Sequence, residues 1–223
     1  MNDRHEWKIE ITYGDLLVLR RRLSAVAKRD EHTVNGKYEI RSLYFDTPTD
    51  QALREKTDGV NRREKFRIRY YNGDLSFIRL EKKSKINGLC QKENAPLSVE
   101  CVQAILDGDW GVLLADGRPL LSELYSKITG GGLRPKTIVD YTREPFVFAP
   151  GNVRITLDHD IRSGLGSKDF LKWDSVTVPA GNASVILEVK WDAFLPDIIR
   201  DAIQLENCRA GAFSKYAACR IYG

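Results

Sequence analysis

Arg62-Arg63-Glu64-Lys65-Phe66-Arg67-Ile68-Arg69-Tyr70-Tyr71, followed after Asn72-Gly73-Asp74 by Phe77-Ile78-Arg79-Leu80-Glu81-Lys82-Lys83-Ser84-Lys85, is the stretch on which the fold turns. With a two-residue period, Phe66, Ile68 and Tyr70 share one side of a strand, and Lys65, Arg67 and Arg69 share the other. The second run repeats this, with Ile78 and Leu80 alternating against Arg79, Glu81 and Lys83. Asn-Gly-Asp is turn chemistry, so the two runs predict a hairpin with one apolar and one cationic face. A charged strand face ordinarily points at water. Here, however, basic residues outnumber acidic ones roughly three to one, whereas a solubilising surface mixes the signs. The pattern points to a site for a polyanion.

The rest of the chain supplies the bounds. Its 223 residues suit one domain, 1–223, with room for a substantial core. A net charge of +4 demands no broad nucleic-acid surface; the positive charge is clustered instead. No apolar run approaches the roughly 20 residues that span a bilayer, and Met1-Asn2-Asp3-Arg4-His5-Glu6 does not read as a signal peptide. These features lead us to expect a cytoplasmic protein with no membrane segment of its own. Cys90, Cys101, Cys208 and Cys219 lack paired short spacing and read as buried or incidental thiols rather than zinc ligands or a disulfide framework.

Working outward, Arg4 to Thr12 predicts a strand with Trp7, Ile9 and Ile11 on one side and Glu6, Lys8 and Glu10 on the other. Gly14-Asp15 opens a helix through about Lys28 with Leu16, Leu19 and Leu23 on one stripe. Tyr38 to Asp46 reads as a strand; Thr47 is expected to cap the short helix after it, with Pro48 at its first position. Gly88 to Pro96 reads as a loop carrying Lys92, Leu97 to Leu106 as a helix, and Gly108 to Gly117 as a turn-rich connection. A helix over Leu120 to Ile128 ends in Gly130-Gly131-Gly132, which lacks the Lys-Ser/Thr of a P-loop. Further strands are expected over Thr137 to Arg143, from Val153 to Asp158, over Phe170 to Val178, and over Ser184 to Trp191. A helix runs from Pro196 to about Leu205, and Ser214-Lys215-Tyr216 begins a last one.

At least six strands therefore carry one aliphatic or aromatic face and one face of Arg, Lys, Glu, Tyr or Thr. In an open sandwich those polar faces look outward. In a closed antiparallel barrel with helices packed outside, they line a lumen, and so many like charges are tolerable there only with an anion or water to compensate. Periodicity leaves both open.

Several runs, taken in order, resemble the VTC domain, the polyphosphate polymerase domain of the vacuolar transporter chaperone family, a branch of the triphosphate tunnel metalloenzymes. They are Arg4-His5-Glu6-Trp7-Lys8, Ser42 to Pro48, Lys65 to Tyr70, Leu80 to Lys85, Lys92, Tyr141-Thr142-Arg143, Val153 to Asp158, Leu187-Glu188-Val189-Lys190 and Phe213-Ser214-Lys215-Tyr216. The resemblance implies an α+β fold, a closed antiparallel tunnel barrel with helices outside. It also implies transfer of the terminal phosphate of ATP to inorganic polyphosphate, with Mn²⁺ or Mg²⁺ as cofactor. By it, Arg67, Arg69, Lys83, Arg143, Arg154 and Lys215 act on the transferring phosphate, and Lys8, Lys92, Tyr141, Lys190 and Ser214 bind substrate. Glu188 is the leading metal ligand, with Glu6 and Glu81 as secondary ones or as partners of Lys8 and Lys83 two positions on. Arg4 stands where the related CYTH branch opens with Glu, which favours the VTC branch, and Glu93 departs from the basic run expected after Lys92. Alternative readings are a tripolyphosphatase with water as acceptor and a non-catalytic polyphosphate-binding module.

Overall fold

A computed structural model of the chain describes residues 5–87, 89–164, 169–180, 185–206, 211 and 213–220. Its strands are β1 (His5–Ile11), β2 (Lys28–Arg29), β3 (Tyr38–Asp46), β4 (Arg63–Tyr71), β5 (Asp74–Ile86), β6 (Leu89–Leu97), β7 (Arg134–Phe148), β8 (Val153–Ser163), β9 (Val178–Pro179) and β10 (Val185–Trp191). Its helices are α1 (Tyr13–Val26), α2 (Gln51–Thr57), α3 (Val99–Asp107), α4 (Val112–Ala115), α5 (Pro119–Gly131), α6 (Asp197–Ala202) and α7 (Lys215–Arg220). Arg4, Gly88, Ser184 and Cys208, placed in expectations above, lie outside the described residues. Among the described residues no helix is long and apolar enough to cross a membrane.

The fold is α+β, built on a large antiparallel sheet. Strand pairing follows the order β1-β10-β8-β7-β3-β4-β5-β6, with β2 on β7 and β9 on β8. That path has two ends, so hydrogen bonds among the described residues do not close the sheet.

The chain divides into two compact units. Unit 1 comprises Met1–Glu39, Tyr141–Ile161 and Pro179–Lys215; unit 2 comprises Ile40–Asp140, Arg162–Val178 and Tyr216–Gly223. Each has its own core. In unit 2 the apolar face of the β4–β5 hairpin, Phe66, Ile68, Tyr70, Ile78 and Leu80, packs with Leu43 and Phe45 against Leu121, Leu124 and Ile128 of α5 and Val102 and Ile105 of α3. Asn72 and Gly73 both take positive φ, 51° and 70°, the pair that a tight two-residue hairpin loop requires. In unit 1 Leu16, Leu19 and Leu23 of α1 bury against Ile11, Ile155, Leu157, Leu187 and Val189. A capping box starts α1: the Thr12 hydroxyl accepts from the Asp15 amide at 3.1 Å, and the Asp15 carboxylate accepts from the Thr12 amide at 3.0 Å. Such a cap stabilises by about 1 kcal/mol and places the helix start ahead of Gly14.

Several sequence expectations are corrected. The segment after Gly88 is not a loop: β6 pairs with β5 without interruption from Ile78↔Leu97 to Ile86↔Leu89. Gln91, Lys92, Glu93 and Asn94 have little intrinsic strand preference, but pairing with a long neighbour outweighs it, and Pro96 is tolerated because β6 ends the sheet. Pro48 is not in a helix. Instead α2 begins at Gln51, and the fully buried Asp46 at the end of β3 accepts from the amides of Ala52 (2.8 Å) and Leu53 (3.2 Å), while the Thr47 hydroxyl accepts from the amide of Gln51 (3.1 Å). Phe170 to Val178 is mostly turns, closed by Lys172 to Asp169 and Ser175 to Lys172 backbone bonds; the only strand pairing there is β9. Within Gly108 to Gly117 lies the short α4, and the Pro196 helix ends at Ala202.

Candidate functional site

In each unit the strand face opposite the core carries most of the expected site residues. On unit 2 the β4–β5–β6 register sets like against like. Lys65 lies opposite Lys83, which lies opposite Lys92, while Arg69 faces Arg79 and Arg63 faces Lys85. Like charges directly opposed across strands each cost about 0.2–1 kcal/mol. The one acid in the middle is Glu81, opposite Arg67.

Glu81 is the hub of this face. Its carboxylate accepts from Arg67 Nε at 2.7 Å and from Lys92 Nζ at 2.6 Å, with Arg69 Nη1 3.9 Å away. Burial alone would raise its pKa; Arg67, Arg69 and Lys92 more than offset that and hold it at about 2. Of the two roles expected for Glu81, pairing with Lys83 is not seen: Arg67 and Lys92 on the neighbouring strands take up its oxygens instead. Lys83 is exposed within its row of lysines.

Sequence reasoning missed Tyr44. Arg67 Nη1 donates to its hydroxyl at 2.8 Å, its ring stacks on Tyr216 (5.1 Å), and it is buried. Burial would raise the phenol, but Arg67, Lys65 and Arg69 outweigh it and bring the pKa down to about 7. Arg69 donates to Ser42 Oγ at 2.9 Å. Because β3 is buried on both faces and carries polar residues on each, Glu39 and Arg41 on one and Ser42 and Asp46 on the other, its alternation could not say which way Tyr44 points.

On unit 1 the β1–β10 register sets unlike charges together. Glu6 is opposite Lys190, and Lys8 is opposite Glu188. Lys8 Nζ lies 3.1 Å from Glu6 and 3.7 Å from Glu188, while Lys190 Nζ lies 3.2 Å from Glu6 and pairs closely with Glu188. Burial would raise Glu188, but Lys190, Lys8 and Arg143 drive it well below the usual carboxylate range. Burial lowers Lys8 in turn, and Glu188 and Glu6 raise it above its ordinary value.

The remaining expected residues gather around Asp158, which the face alternation of β8 had placed beside Arg154 and Thr156 without assigning it a role. Fully buried, it accepts from Arg143 at 2.7 and 2.8 Å and from Lys215 at 2.6 Å. Both cations lower it against the effect of burial. Tyr141 serves as a ring platform, 5.6 Å from the Arg143 guanidinium and 4.6 Å from Lys215 Nζ. Ser214 is half-buried just ahead of Lys215. Arg154, opposite Lys190, is held by Tyr38 (2.8 Å) and Asp30 (3.1 Å).

Among the described residues no group of three or more His, Cys, Asp or Glu forms a ready cation cage. Glu6 and Glu188 nevertheless converge on the same two ammonium groups, and two hard oxygen donors suit Mg²⁺ or Mn²⁺, which take the rest of their coordination from phosphate and water. The pair fits such an ion. Among the described residues Glu81 shares its cations with no second carboxylate, so it offers a single donor group where Glu6 and Glu188 offer two.

Compared with known proteins, the chain matches the sequence profile of the VTC domain over residues 3–221. Among solved structures it is similar to an adenylyl cyclase candidate from Hippeastrum whose dominant activity is that of a triphosphatase. The TM-score is 0.59 at 14% identity, covering 96% of this chain and 94% of that one. It is also similar to an adenylate cyclase candidate from Bacillus halodurans (TM-score 0.46, 16% identity, 83% and 78% covered) and to a conserved hypothetical protein from Pyrococcus furiosus (0.44, 11%, 90% and 86%). No curated protein matches.

Proposed function

The chain belongs to the VTC domain family, and from that premise we propose that it is a metal-dependent polyphosphate polymerase moving the terminal phosphate of ATP onto inorganic polyphosphate. As a VTC-domain protein it is an enzyme of the phosphotransferase or triphosphatase class. The same premise carries one domain over residues 1–223 and the closed barrel, with the charged faces turned to its lumen.

One observation carries the reading: the rows of directly opposed cations on unit 2, Lys65↔Lys83↔Lys92 and Arg69↔Arg79, around a single carboxylate. Such rows are unfavourable by themselves and become favourable when a chain of phosphates lies along them. Glu81 holds Arg67, Arg69 and Lys92 in place before substrate arrives, so little reorganisation remains for the transition state. A terminal oxygen of the polymer attacks the γ-phosphorus, the bond to the β–γ bridging oxygen breaks, and ADP leaves with that electron pair. Arg67, Arg69, Lys83, Arg143, Arg154 and Lys215 meet the charge that develops, while Lys8, Lys92, Lys190, Tyr141 and Ser214 align the chain. Glu188, with Glu6, would hold Mn²⁺ or Mg²⁺, which neutralises phosphoryl oxygens when bound.

A second reading, tripolyphosphate hydrolysis, is favoured by Tyr44. A phenol near 7 beside Arg67 is poised to take the proton of an attacking water, which a phosphate acceptor does not need to lose. Incubating the protein with ATP and Mn²⁺ decides between them: long polymer supports the polymerase, free phosphate the hydrolase. Neither product would leave a binding module.

A further inference from the structure

The cationic face of unit 2 changes character at one end. Beyond Arg69 the next residue on that face is Tyr71, half-buried, with the Arg69 guanidinium 6.0 Å from its ring. Across β3 its register partner is Ile40, which is 1% exposed. On β5 the residues are Arg79 and then Phe77, which is 49% exposed, with the Arg79 guanidinium 4.5 Å from its ring. The register breaks here: it passes from Arg69↔Arg79 to Tyr71↔Asp74, two residues along β4 against five along β5. Irregularities of this kind re-aim side chains beside functional sites.

A phosphate chain has no use for aromatic rings; a nucleobase does. We propose that Tyr71, Phe77 and Arg79 form a stacking platform for the base of a nucleoside triphosphate whose phosphates run from Arg69 toward Lys65 and Lys83. Phe77 offers an accessible ring face, and Arg79 stiffens that ring from one side while adding charge next to Arg69 at the point where base gives way to phosphate. Stacking tolerates any base, because every base has a π-face, so adenine and guanine nucleotides bind alike. The proposal rests on the reading that this face binds phosphates, and it sets the polarity of the donor nucleotide on the face.

Calorimetric titration of ATP and of inorganic tripolyphosphate into the wild-type protein and Phe77→Ala, in chelator so that neither ligand turns over, tests it. The expected result is ATP binding weaker by roughly tenfold, the size of one base–aromatic stack, with the ratio of ATP to tripolyphosphate affinity falling equally. Phe77→Trp should restore that ratio, which separates loss of stacking from loss of fold. Unchanged ATP affinity, or equal weakening of both ligands, overturns the platform while the phosphate reading stands. A wild-type protein that binds neither ligand overturns the phosphate reading, and the platform with it.

Discussion

The charged faces of the two units arise from the same strand alternation yet are balanced in opposite ways. On unit 1 each cation meets an acid: Lys8 and Lys190 share Glu6 and Glu188, and Arg143 and Lys215 share the buried Asp158. On unit 2 three cations share Glu81, and Lys65, Lys83, Arg69 and Arg79 oppose one another. The first face is largely neutralised within the protein. The second sets cation opposite cation in successive register pairs. Alternation alone therefore does not tell the two faces apart; the cross-strand register does.

The largest effect that sharpens this contrast is on stability. Asp158→Asn keeps the shape but leaves Arg143 and Lys215 without their carboxylate in a buried position, and urea unfolding should show a loss of about 3–5 kcal/mol. A near-neutral result would break the claim that unit 1 is internally neutralised. Next is turnover: Arg67→Ala should lower it about 10²–10³-fold with little change in melting temperature, since Arg69 and Lys92 still hold Glu81. Wild-type rates would remove unit 2 from the chemistry.

Glu188→Gln is expected to raise the Mn²⁺ concentration needed for half-maximal activity by about tenfold or more, and Glu81→Gln to leave that requirement in place. A shift for Glu81→Gln instead would move the metal to unit 2. Spectroscopy reads a smaller effect. One tyrosine should form tyrosinate near pH 7, and Tyr44→Phe should abolish that step. Because cations depress this phenol, bound tripolyphosphate should push its titration to higher pH; a shift downward would mean that the anion binds elsewhere. The smallest effect belongs to Lys83→Ala, expected to change unfolding free energy by no more than about 0.5 kcal/mol, and in the stabilising direction, because it breaks a row of like charges. Stabilisation by added tripolyphosphate should diminish in that variant.

The hairpin around Asn72-Gly73 was legible because Phe66, Ile68, Tyr70, Ile78 and Leu80 alternate without exception and the turn residues demand positive φ. β6 was not, since its residues have no strand preference of their own and owe their conformation to β5. The capping role of Asp46 was hidden because its partners, Ala52 and Leu53, sit beyond a Pro-containing turn that reads as a helix start. Glu6 does pair with Lys8, as the spacing predicts, whereas Glu81 ignores Lys83 for Arg67 and Lys92 on the neighbouring strands.

By itself the amino-acid order determined which residues share a face, because side-chain direction along a strand is a local property of the backbone. It also carried the family resemblance, which depends on ordered motifs rather than on geometry. Which charge meets which was decided only by tertiary structure. Register between strands is set by turns, bulges and the packing of Leu121, Leu124 and Ile128 beneath the sheet, and a slip of one residue would have handed Glu81 to different partners.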